Sequence, residues 1–222
     1  VFLSVLVVAL TLGLVFSVSI TSLAVDMSEP LGSGTSDEPY LIASLAELSW
    51  LSQNSGEWGA YYEQTDDIDA SETRYWDDSD DNNDGDLYND PEDKHSSGSN
   101  GGFSPIGTWG TKFTGNYDGQ ENEIKNLYTD RADRVGLFGC IVDEAEITDL
   151  GLVNVVLNGY ESVGGLVGLN ESGTVKNSYA SEDVRGDDSV GGLVGWNSDG
   201  GSSGGNSGGG NAGGPGNGGG PP

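Results

Sequence analysis

The densest group of metal-ligating side chains in this 222-residue chain is Asp80-Asp81-Asn82-Asn83-Asp84-Gly85-Asp86. Oxygen ligands recur there at alternate positions and Gly stands sixth, as in loops that wrap calcium. Asp80, Asn82, Asp84 and the carbonyl of Asp86 are the candidate ligands, and calcium is the candidate cofactor. The twelfth position, where a bidentate carboxylate belongs, holds Pro91, with Asp90 and Glu92 on either side. A solvated acidic loop is the competing reading, and the residues leave both open.

Other chemistry finds less support. Carboxylates are so common that Asp118, Asp143, Glu144, Glu146 and Asp149 read as ordinary surface charge. The single His95 falls in the acidic stretch, which argues against a Ser/His triad or a His-ligated zinc. The paired glycines follow a repeat and lack a following Lys-Ser/Thr, so they do not cradle phosphate. Cys140, between Gly139 and Ile141, suits a buried apolar role, and as the only cysteine it excludes an internal disulfide. Tyr128, Tyr160, Tyr179 and Trp196 either line a sugar-binding face or cap stacks of apolar side chains. Asn170-Glu171-Ser172 is a glycosylation sequon and predicts exposure there.

Eight Lys and Arg stand against 36 Asp and Glu, a formal charge of −28. Such a field repels phosphate, and no basic stripe offsets it, which excludes nucleic acid as a partner. Acidic residues spread along the body, with very little Lys, fit a chain from a salt-loving microbe, where molar salt screens charge within about 3 Å. A calcium-containing exterior is the alternative setting.

The elements that must position these groups begin after residue 24. Residues 1–24 are uncharged and end in Ser22-Leu23-Ala24, the pattern of a cleavable export signal; an uncleaved membrane anchor is the alternative. Export makes the chain secreted or surface-bound, touching a membrane only through that segment. Residues 25–37 form a leader, 38–199 the body with an acidic insertion at 76–102, and 200–222 a disordered Gly/Ser/Asn/Pro-rich linker. Pro39–Ile42 reads as a strand. Ser44-Leu45-Ala46-Glu47 has capping-box spacing and starts a helix of about ten residues that covers one end of the body. Tyr61 to Ile68 reads as a further strand.

From Phe113 onward the chain repeats itself. Val163-Gly164-Gly165-Leu166-Val167-Gly168 returns 27 residues later as Val190–Gly195, and Val135–Gly139 is a degenerate copy 28 residues earlier. A second phrase joins Ile124-Lys125-Asn126-Leu127, Ile147-Thr148-Asp149-Leu150 and Val175-Lys176-Asn177-Ser178. Each unit thus holds about three short apolar runs, too short for helices and rich in β-branched residues. Such a unit buries its apolar face only by stacking on its neighbours, and residues 135–197 predict parallel β-helix coils. The glycines supply either positive φ or close approach between coils. No closing helix follows, so the last coil predicts an open edge, to be covered by more chain or by a partner.

These residues resemble proteins carrying the GLUG motif, here Gly136-Leu137-Phe138-Gly139, Gly165-Leu166-Val167-Gly168 and Gly192-Leu193-Val194-Gly195. Ile68–Ser71, Phe103–Gly107 and Phe113–Gly119 extend the likeness over about 38–198. The resemblance implies an all-β, right-handed parallel β-helix in a secreted or surface-attached, adhesin-like protein. The leading expectation is a non-catalytic extracellular spacer or ligand-presenting scaffold, contacting a cell-envelope polysaccharide or protein. Two alternatives are a carbohydrate-active lyase or hydrolase fragment on the same scaffold, and a surface structure that self-assembles with calcium or salt.

Overall fold

The structure, a computed structural model, describes residues 27–76 and 101–198. The segment 1–24, the calcium candidates Asp80, Asn82, Asp84 and Asp86 with His95, and residues 200–222 lie outside the described residues.

The chain is all-β apart from one α-helix and two short 3-10 turns among the described residues. Its elements in order are β1 (Tyr40–Ile42), α1 (Leu45–Gln53), β2 (Tyr61–Gln64), β3 (Ile68–Asp69), β4 (Gly101–Gly102), β5 (Asn116–Asp118), β6 (Glu123–Lys125), β7 (Tyr128–Asp130) and β8 (Phe138–Val142). There follow β9 (Glu146–Thr148), β10 (Gly151–Asn158), β11 (Glu161–Gly164), β12 (Val167–Glu171), β13 (Thr174–Lys176), β14 (Tyr179–Arg185), β15 (Asp188–Gly191) and β16 (Val194–Asn197). The single strand expected from Tyr61 to Ile68 is two, because the chain turns at 65–67.

α1 starts where Ser44, in extended conformation, accepts a hydrogen bond from Ala46 N at 3.2 Å and donates to the Glu47 carboxylate. That satisfies one of the amides a helix start leaves orphaned. Leu48 and Leu51 are fully buried, and Asn54 ends the helix by donating its side-chain amide to Trp50 O at 2.7 Å.

The strands pair in four sheets, almost everywhere parallel. One sheet runs β1-β2-β5-β9-β13; a second runs β3-β6-β10 with β14 on the far side of β10; a third is β11-β15; the fourth is β8-β12-β16. Pairing steps through the sequence at the repeat period, with Ile147 opposite Val175, Leu152 opposite Ala180 and Val163 opposite Val190, and a longer step sets Tyr117 opposite Ile147. Residues 161–185 therefore make one circuit with a strand in each of the four sheets, one more than the three apolar runs predicted. β4 is the exception in direction, antiparallel to β7.

The second sequence phrase also resolves differently. Ile147–Leu150 lies beside Val175–Ser178 as expected, but Ile124 and Lys125 pair with Leu152 and Val153, in another sheet. Positions that bend the chain set this register. Asn126, Asn154, Asp149 and Asn177 sit in the left-handed region at φ 61, 55, 52 and 50°, which Asn and Asp tolerate better than most residues. The repeat glycine Gly164 serves close approach instead: a Cβ there would lie 2.1 Å from Val167 O and 2.5 Å from Gly195 N of the next circuit.

The interior changes character along the stack. Tyr40, Tyr62, Tyr117, Phe113 and Phe138 form a chain of rings with centroids 4.9–6.3 Å apart. Beyond it the core is aliphatic: Ile147, Leu150, Leu152, Leu157, Val163, Leu166 and Val167 are all fully buried. Cys140 is fully buried, and burial raises its thiol pKa to about 11, as an inert apolar role requires.

Candidate functional site

The circuits turn their polar side chains outward in ladders. Asn154 Nδ2 donates to Asn126 Oδ1 at 2.7 Å, and Asn126 Nδ2 to Asp69 Oδ1 at 2.9 Å. At another corner Asn177 Nδ2 donates to Asp149 Oδ1 at 3.0 Å. Lys125 bridges Asp67 at 2.8 Å and Glu123 at 3.0 Å. These bonds hold Asp67 below the usual carboxylate range; the bond from Asn126 does the same for Asp69, and those from Tyr179 and Lys125 for Glu123. Lys125 is correspondingly raised.

The carboxylates considered for catalysis are mostly engaged in the scaffold. Asp118 accepts from Gln120 N and Nε2, Glu146 pairs with Lys176 at 2.6 Å, and Asp149 belongs to its corner ladder. Asp143 and Glu144 are exposed at a turn, with Asp143 at φ 55°. The structure does bring Glu63, Asp118 and Glu146 to one open groove of about 280 Å3 beside Tyr61 and Tyr117. Among the described residues no group of three His, Cys, Asp or Glu is arranged to hold a metal ion. No helix among them is long and apolar enough to cross a membrane.

A second cleft, of about 300 Å3, lies between the 104–109 and 131–134 loops. Trp109 forms one wall, and its ring centroid is 4.9 Å from Lys112 Nζ and 4.4 Å from Arg134 Cζ. Arg131 forms the other wall, donating from Nε to Phe103 O at 3.1 Å and from Nη2 to Gly102 O at 2.9 Å. Lys112 pairs with Glu171, and Arg134 with Asp133 at 3.1 Å. The sequence drew no attention to Trp109. In the structure, two of the eight Lys and Arg of the whole chain, Lys112 and Arg134, sit over its ring, and Arg131 lines the same cleft.

The four aromatics weighed as a sugar-binding face or as caps of apolar stacks differ in exposure. Tyr128 is buried, whereas Tyr160 between β10 and β11, Tyr179 in β14 and Trp196 in β16 are exposed. The sequon is also corrected: Asn170 is buried, and its Nδ2 donates to Gly173 O at 3.0 Å, so its amide is not presented to solvent.

Residues 159–185 match the family model described as the GLUG motif, and that span corresponds to the four-strand circuit. Over 160 residues, 71% of the chain, the sequence is 35% identical to Halomucin of Haloquadratum walsbyi, and the match spans 2% of that protein. No solved structure matches. A motif that fits one full circuit, in a chain whose circuits recur and whose charge and relative both point to high salt, makes this a GLUG-repeat protein of halophilic origin.

Proposed function

We propose that the chain is a non-catalytic extracellular module, a stiff right-handed parallel β-helix that spaces or presents part of a surface protein. The observation that carries this reading is the 27–28-residue strand register over one continuous core. Parallel strands stacked about 4.8 Å apart make a rod whose length grows with repeat number while its cross-section stays constant. The GLUG match and the mucin in the relative's name support a place at the surface, and the acidic exterior suits water of high salt. Its partner is then an envelope or extracellular polysaccharide or protein. Protease shaving of intact cells bearing an epitope-tagged chain tests the location. Loss of the tag from unbroken cells is expected, and full protection until lysis contradicts the proposal.

The carbohydrate-active alternative has one observation in its favour, the groove that holds Glu63, Asp118 and Glu146 together. Release of reducing ends from a polysaccharide, abolished by Asp118→Asn in a folded variant, would replace the scaffold reading with it.

A further inference from the structure

Trp109 is 58% exposed although it flanks the filled part of the stack, with Phe103, Ile106 and Phe113 fully buried around its loop. The comparable exposure of Trp196, 52%, belongs to the last described circuit, whose outer side carries no further strand among the described residues. Trp109 has no such reason to face water, and its loop is built to hold it there. Gly107 takes φ 83°, Thr108 N donates to Thr111 O at 2.7 Å, and Thr111 N donates back to Thr108 Oγ1 at 3.1 Å. A tight turn thus fixes an aromatic ring at the mouth of a cleft that would take one sugar ring.

Charge singles out the same place. In a chain of net charge −28, Arg131 and Arg134 line this cleft, and Lys112 sits over the ring of its Trp109 while paired with Glu171. The Nε of Arg134 is buried with no hydrogen-bond partner among the described residues. The carboxylates nearest Arg134 hold it loosely: Asp133 is 76% exposed, and Glu161 lies 3.9 Å away and is 51% exposed. Such exposed pairs contribute little and exchange readily for a better-placed anion.

We infer that the Trp109 cleft binds a uronate residue of an acidic polysaccharide. The C–H face of the pyranose packs on the Trp109 ring, and its carboxylate takes the Arg134 guanidinium. A neutral sugar would use the ring alone and make no ion pair with Arg134, whose buried Nε has no hydrogen-bond partner among the described residues. The inference deepens the reading of the chain as an extracellular module by naming a ligand class. Its test uses purified chain, so its failure is separate from a failure of the surface location.

Calorimetry of the full chain in molar NaCl, with an oligogalacturonate and with a neutral galacto-oligosaccharide of equal length, decides the matter. Expected are binding of the uronate oligomer and affinity at least tenfold lower for the neutral one. Trp109→Ala, at an exposed position that leaves the fold intact, should lose tenfold or more; Arg134→Lys should lose several-fold; Trp196→Ala should match the parent. Absence of heat with the uronate oligomer, equal binding of both sugars, or a Trp109→Ala variant that binds like the parent would overturn the inference. Equally strong binding of poly-glutamate would assign an acidic peptide instead and overturn it too.

Discussion

The two ends of the stack are built differently. At the first, α1 lays Leu48 and Leu51 over Ile42, Trp58 Nε1 donates to Leu51 O at 2.8 Å, and the outer edge of β1 is met by Leu31, whose carbonyl accepts from Leu41 N at 2.7 Å. At the last described circuit there is no such cover among the described residues. Val135 and Val163 are fully buried, whereas Val190, next in the same column, is 39% exposed; Leu137 and Leu166 are buried, whereas Leu193 is only partly so. The same residue types in the same register differ only in what lies on their outer side. Stability in a repeat stack therefore comes from the neighbour more than from the repeat itself.

Mutations read that difference directly. Leu51→Ala at the covered end should cost about 3 kcal/mol, the usual loss for a buried leucine, whereas Leu193→Ala at the open end should cost about 1 kcal/mol. Chemical denaturation of both variants checks this, and equal losses would mean that the open end is covered in solution. Ser44→Ala should cost about 1 kcal/mol by uncapping α1. Its thermal midpoint should fall, with no matching loss from Ser189→Ala on the exposed β15.

The smallest effect is electrostatic. Asp67 on the 65–67 turn ties one circuit to the next through Lys125, whereas Asp183 pairs only with Arg185 on its own exposed strand. Asp67, Asp69 and Glu123 have folded pKa values below the ordinary carboxylate range. Their contribution is present above about pH 4, where unfolded carboxylates are ionised, and is lost as pH falls through the lowered folded values. Asp67→Asn should flatten the acid side of the melting-temperature profile, and a profile like that of the parent would contradict this.

Much of this fold was legible because its signals are local. The capping box of α1 and the recurring Val-Gly-Gly-Leu-Val-Gly each sit within a few residues. Register was harder: Ile124-Lys125-Asn126-Leu127 resembles Ile147-Thr148-Asp149-Leu150, yet it stacks beside Leu152-Val153, because the left-handed corners at Asn126 and Asn154 decide which strands meet. The carboxylates of the groove were visible only as names, since β2, β5 and β9 bring together residues as far apart as 63 and 146. The Trp109 cleft was hidden for a related reason. Nothing in a sequence marks a tryptophan as exposed, and Arg134 reaches it across 25 residues of chain that includes β5, β6 and β7.

Amide hydrogen exchange tests the central claim, a stack covered by α1 at its first end and without a covering element at its last circuit among the described residues, most directly. Backbone amides in β12, flanked by β8 and β16, and in β10, flanked by β6 and β14, should be the slowest to exchange, with α1 and β2 well protected and β15 and β16 markedly faster. Uniform protection along the stack, or slowest exchange in β15 and β16, would contradict it.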